Sequence, residues 1–187
     1  NELHGIEVIN TTDYSEEALA LALENNLTIM GTSDIHGLID WDYIEKGSTR
    51  PITLVFAKQR NKESLKEALF AGRTVAVYNH LFVGRETYLN PLLKACIQIE
   101  GIAYIEGTEI LKIELTNISS NGLLFENAMD FTFYSSSPVF EIKAGETKTL
   151  QIKTLQKMEK LELKLKALGA YYAPKQHPII SWPLDIK

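Results

Sequence analysis

Apolar and polar positions follow two regimes along this chain. Up to about residue 95, short β-rich runs alternate with stretches of helical spacing. Gly5-Ile6-Glu7-Val8-Ile9-Asn10 reads as a strand, closed by the turn-prone Asn10-Thr11-Thr12-Asp13. Asp13, with Glu16 three residues on, predicts a capping box for a helix rich in alanine and leucine, Ala18 to Leu23, stopped by Asn25-Asn26. A second apolar strand, Leu27–Met30, leads into Gly31-Thr32-Ser33-Asp34-Ile35-His36-Gly37. Gly37 to Thr49 mixes polar and aromatic residues and reads as a short helix or a loop over the strand ends. A strand at Ile52–Ala57 follows. The next helix is capped by Asn61, carries Leu65, Ala68 and Leu69 on one face, and ends at Gly72. Thr74–Tyr78 is another strand, and Glu86 to Ala95 a third helix. Strand and helix alternate as in the repeating unit of a parallel sheet.

Helical signals largely disappear near residue 96. Short runs at strand spacing take over: Ile97–Ile99, Ile110–Leu115, Leu123–Phe125, Phe131–Tyr134, Phe140–Ile142, Thr147–Ile152, Leu161–Leu165 and Ile179–Trp182. Turn signals such as Asn121-Gly122 and Ala144-Gly145 separate them, the pattern of a β-sandwich. The sequence therefore predicts two domains, α/β over residues 1–95 and all-β, sandwich-like, over 96–187.

Composition narrows the function classes. The chain has 187 residues, 45% of them hydrophobic, and a net charge of −5. Its basic residues are scattered, which argues against nucleic acid as a partner. No apolar run reaches the roughly 18–20 residues needed to span a bilayer. A cytoplasmic, periplasmic or secreted location fits equally well. The single cysteine, Cys96, lies among Leu92, Leu93, Ala95 and Ile97 and reads as a buried, inert thiol.

Candidate chemistry concentrates at Asp34 and His36. In an extended segment, side chains two residues apart point to one face, so this acid and imidazole aim together beyond a strand's C-terminal end. Ligands and metals sit at that end of parallel sheets. A catalytic zinc-type centre needs about three protein ligands. By spacing alone, Asp34 and His36 are either half of a metal site or an acid–histidine hydrogen bond. Arg50, before a strand, suits a phosphate contact or a structural ion pair. Glu7 and Asn10 end the neighbouring strand. Trp41 and Tyr43 either shape a pocket or fill core. Arg85 and Glu86 read mainly as structural, and His4, His80 and His177 as weaker ligand candidates.

Several segments in order, Gly5–Asn10, the following helix, Asn26–Gly31 and then Ser33-Asp34-x-His36, resemble the closing part of the PHP (polymerase and histidinol phosphatase) metallophosphoesterase domain. Arg50–Lys58, Glu67–Val75 and Val83–Glu86 look more specifically like PHP-type phosphodiesterases of the Bacteroidetes kind. The resemblance covers residues 1 to 95. It implies part of a distorted βα-barrel, divalent metals (Zn, Mn or Fe) held in part by Asp34 and His36, and a phosphoester small molecule as substrate. Such metals activate water and neutralise phosphoester charge. The family's opening His-x-His pair and its middle His and Glu ligands have no counterpart here. The chain therefore reads as the C-terminal part of a longer protein with an incomplete site, its barrel edge covered by a missing N-terminal segment or a second copy. The alternative is a non-catalytic binding module with a degenerate site.

Overall fold

The computed structural model describes residues 3–43 and 49–186. These form two compact units: residues 1–89 with 170–177, and residues 90–169 with 178–187.

The first unit opens with β1 (Gly5–Asn10), β2 (Asp13–Tyr14), α1 (Glu16–Glu24) and β3 (Thr28–Thr32). Asp13 does not cap α1. It lies in β2, paired back onto Asn10, and Ser15 takes the cap by accepting the Ala18 N–H at 3.1 Å. β3 lies parallel to β1 and β2 antiparallel, giving the sheet order β2-β1-β3. Val8, Ile9, Leu19, Ala22, Leu27 and Ile29 bury the face between this sheet and α1.

The chain then runs through α2 (Ile39–Asp42), β4 (Ile52–Val55), α3 (Lys62–Phe70), β5 (Thr74–Tyr78), β6 (Leu81–Gly84) and the start of α4 (Glu86–Ala95). Asn61 caps α3 as expected, accepting the Ser64 N–H at 2.8 Å, and Gly72 follows its end at φ +64°. These strands do not extend the first sheet. They form a second one, β13-β6-β5-β4, in which β4, β5 and β6 are antiparallel. Its fourth member, β13 (Ala170–Tyr171), comes from far along the sequence and pairs parallel with β6.

The expected α/β barrel portion is thus overturned: no α/β barrel forms among the described residues, in which strand outweighs helix. The physical reason is the path of α3. Val55 pairs with Thr74, and the Phe56 N–H donates to the Arg73 carbonyl at 2.9 Å. The helix thus leaves and returns at one end of the strands. It works as a long hairpin connection, where a parallel strand would need a crossover along the sheet. The edge of β3 that a barrel would continue is occupied by threonine hydroxyls. Thr53 Oγ1 accepts the Gly31 N–H and donates to the Gly31 carbonyl, both at 2.9 Å, and Thr74 Oγ1 donates to the Ile29 carbonyl at 2.6 Å. Gly31 permits this approach, because a Cβ there would sit 3.0 Å from the Ile52 carbonyl oxygen.

The second unit holds two antiparallel sheets. One is β11-β8-β7, built from β7 (Ile97–Tyr104), β8 (Ile110–Asn117) and β11 (Thr147–Lys153). The other is β10-β9-β12-β14, from β9 (Leu123–Asn127), β10 (Val139–Ile142), β12 (Lys160–Ala167) and β14 (Ile179–Asp185). Alternate residues are buried along most of these strands, among them Leu111, Ile113 and Leu115 of β8 and Leu161, Leu163 and Leu165 of β12. This is the inward-facing pattern of a sandwich. Phe131–Tyr134, read from sequence as a strand, is not one. Only Phe133 makes a bridge, to Ile152, while its ring packs edge-on to Phe140.

Candidate functional site

The C-terminal ends of β1 and β3 meet in register, Asn10 opposite Thr32, and the chain leaves β3 through Ser33 and Asp34. Asp34 has φ 47°, a left-handed conformation that Asp tolerates better than most residues and that turns the chain sharply. His36 then folds back, its Nδ1 lying 2.8 Å from the Asp34 carbonyl oxygen. A carbonyl only accepts, so Nδ1 carries the proton and the neutral ring's Nε2 keeps its lone pair. Both residues are exposed. The hydrogen bond between these two residues runs from the imidazole to the backbone carbonyl of Asp34, not to its carboxylate.

Arg50 reaches the same end. β5 runs in the direction of β3, since Thr74 meets Ile29 and Ala76 lies against Gly31. β4 is antiparallel to β5 and so runs opposite to β3. Thr53 is bonded to Gly31. Three residues back from Thr53 is Arg50, and three residues on from Gly31 is Asp34, so both lie beyond the same edge. Arg50 is exposed there. Its neighbour Thr49 donates through Oγ1 to Asn79 Oδ1 at 3.1 Å, in the β5–β6 turn that also carries His80.

Two features escaped sequence reasoning. Glu7 and Asn10 are three residues apart, a spacing that places strand side chains on opposite faces. A bulge between Glu7 and Ile9 resets that parity, and Asn10 Nδ2 donates to Glu7 Oε2 at 2.7 Å. Thr32 Oγ1 is shielded from solvent and has no hydrogen-bond partner among the described residues. No local signal marks either, since both follow from the register of β1 on β3.

Arg85, His4, His177 and Cys96 make contacts within the fold. Arg85 Nη2 donates to the Ala22 and Leu27 carbonyls at 3.3 and 3.1 Å, closing the C-terminal end of α1. His4 packs on Phe70, and His177 on Tyr171 with its Nδ1–H donated to the Ala170 carbonyl. Cys96 is buried, and burial raises its thiol pKa. Among the described residues, no group of three His, Cys, Asp or Glu side chains is placed to hold a metal. Part of the Gly37–Thr49 stretch, residues 44–48, lies outside the described residues.

A family model described as an Ig-like domain matches residues 97–183, most of which lie in the second unit. No curated protein matches the chain. A solved structure described as a two-domain protein containing a predicted PHP-like metal-dependent phosphoesterase, from Bacteroides vulgatus ATCC 8482, is similar over 97% of this chain. It has 31% sequence identity and a TM-score of 0.86. The chain spans about half of that protein, 52% of its length. Among the described residues, no helix is long and apolar enough to cross a membrane.

Proposed function

We propose that this chain is part of a metal-dependent phosphoesterase, with Asp34 and His36 as ligands to a divalent ion of the Zn, Mn or Fe type. The observation that carries the reading is the His36 ring. Its Nδ1–H is committed to a backbone carbonyl, which fixes the tautomer and leaves Nε2 free to ligate, the usual arrangement of metal-binding histidines. Imidazole beside carboxylate is a donor set that suits these ions. The likeness to a two-domain protein described as a predicted phosphoesterase supports the same assignment.

Two side chains do not complete such a centre. Among the described residues no third ligand is placed beside them. A bound divalent ion supplies a water acidified toward hydroxide and neutralises charge on a phosphoester oxygen. In this chain Asp34 and His36 would hold the ion, and Arg50 would receive the phosphoryl oxygens through its guanidinium fork. The substrate is a small phosphate mono- or diester.

The test uses the longer protein that contains this sequence. Asp34→Ala and His36→Ala should each lower bound metal, read by elemental mass spectrometry, about 10- to 100-fold at limiting metal, with phosphodiesterase turnover falling in step. Unchanged metal content and turnover in both variants would leave a non-catalytic module with a degenerate site as the correct reading.

A further inference from the structure

Sequence alone leaves the two aromatics after His36 undivided between pocket and core. Trp41 is exposed, whereas Tyr43 is only 2% exposed. Tyr43 does more than fill core, because its hydroxyl donates to the Ser33 carbonyl at 3.1 Å. The carbonyls on either side are bonded as well. That of Thr32 accepts the Thr11 N–H at 3.1 Å, and that of Asp34 accepts the His36 Nδ1–H at 2.8 Å. Three successive carbonyls, 32 to 34, thus each have a different donor. They surround the left-handed turn at Asp34, φ 47°. A peptide group is planar, so a bonded carbonyl orients the whole group. With the planes before and after Asp34 both held, the direction in which its side chain leaves the backbone is set.

Thr11, the donor to Thr32, is itself held in an unfavourable conformation. It lies in the turn between β1 and β2, which Asn10 and Asp13 close by pairing, and has φ 56°. A β-branched residue is a steric outlier there, and glycine suits such a turn far better. Thr11 Oγ1 donates to Asn10 Oδ1 at 2.8 Å, and Asn10 Nδ2 donates in turn to Glu7 Oε2 at 2.7 Å. The ionised Glu7 only accepts, so it fixes which way the Asn10 amide faces and thereby gives Thr11 its acceptor. Strain held in this way beside a candidate site points to a role other than stability.

We infer that Tyr43 and Thr11 are positioning residues for the Asp34–His36 pair, an inference that rests on the phosphoesterase reading of those two side chains. Tyr43 orients the peptide plane that enters Asp34, and Thr11 the plane before it. Neither side chain has to touch the ion. Their effect is to keep the carboxylate aligned before the ion arrives, so that less freedom is lost on binding.

The experiment measures Mn2+ affinity by titration calorimetry, and the thermal midpoint of the metal-free protein, in the longer protein that contains this sequence. Tyr43→Phe keeps the buried ring and removes the hydroxyl, and should weaken Mn2+ binding about tenfold. Thr11→Gly separates positioning from stability. It relieves the strained turn, so the midpoint should hold or rise, while Mn2+ binding again weakens about tenfold. Glu7→Gln keeps an acceptor for Asn10 and should bind Mn2+ nearly as the natural chain does, whereas Glu7→Ala should not. Unchanged affinity in Tyr43→Phe or Thr11→Gly, or an affinity that falls only where the midpoint falls, overturns the inference. So does an equal loss in Glu7→Gln and Glu7→Ala. Should Tyr43→Phe not fold, Thr11→Gly decides alone. If Asp34→Ala and His36→Ala keep their metal, the phosphoesterase reading itself fails. If those two lose it while the positioning variants do not, only this inference fails.

Discussion

At the scale of single residues, one hydrogen bond decides what His36 offers its surroundings, and one missing hydrogen bond decides how Tyr14 behaves. The Tyr14 hydroxyl is shielded from solvent with no partner among the described residues, and the ring stacks on Tyr171 at 5.1 Å. Burial, followed by the nearby Glu16, Tyr171 and Glu17, pushes its pKa from 10.0 up to about 12. Below pH 10 the folded and unfolded chains both keep this proton, and stability does not depend on pH through it. Between pH 10 and about 12 only the unfolded chain ionises, so stability falls as pH rises. Tyr14→Phe should therefore flatten the alkaline limb of a denaturation-against-pH series. At neutral pH it should leave stability unchanged or raise it by up to about 1 kcal/mol, because it removes an unsatisfied polar group. A steeper alkaline limb in the variant would contradict this assignment.

At the scale of elements, the junction of β3 with the second sheet is made by side chains. Thr53 Oγ1 serves both the N–H and the carbonyl of Gly31, and Thr28 Oγ1 donates to the Leu69 carbonyl at 2.6 Å on the α3 side. Thr53→Val keeps the shape and removes both bonds, leaving two backbone groups of the buried Gly31 without that partner. We expect a loss of about 1–3 kcal/mol, seen as a lower denaturation midpoint at constant m-value, and near-complete recovery in Thr53→Ser. The same junction aligns Arg50 with Asp34, so Thr53→Val should also weaken any phosphate contact that Arg50 makes. A threonine hydroxyl at this point thus connects folding to the geometry of the candidate site.

At the scale of the whole molecule, the two units are interleaved in sequence. The connection between β12 and β14 contributes residues 170–177 to the first unit, where Ala170 and Tyr171 pair with Phe82 and Val83. Replacing residues 170–177 by a short turn should speed hydrogen exchange at β6 amides, measured in the full chain, while β8 amides keep their protection. Equal protection of β6 before and after the replacement would show that β13 adds nothing to that sheet. The Ig-like match at residues 97–183 therefore contains a segment that structurally serves the other unit.

Much of this was legible in the sequence wherever the determinant is local. Asn61 and Gly72 announce the limits of α3, and the alternation in Leu161, Leu163 and Leu165 announces a sandwich strand, because capping and inside–outside periodicity are properties of neighbouring residues. The pairing of Asp34 with His36 was visible for the same reason. Direction and partnership of strands were not. A helix between two strands reads the same whether it crosses the sheet or returns to the end it left, and only the pairing of Val55 with Thr74 made β4 and β5 antiparallel. The bulge that joins Glu7 to Asn10, the edge that Arg50 shares with Asp34, and the exposure of Trp41 beside a buried Tyr43 also depend on register between segments distant in sequence. The sequence by itself determined the local elements and the acid–imidazole pair at the end of β3. The tertiary structure alone decided the two separate sheets in place of a barrel and which side chains gather at that end, because strand pairing is a choice among distant partners that no local pattern encodes.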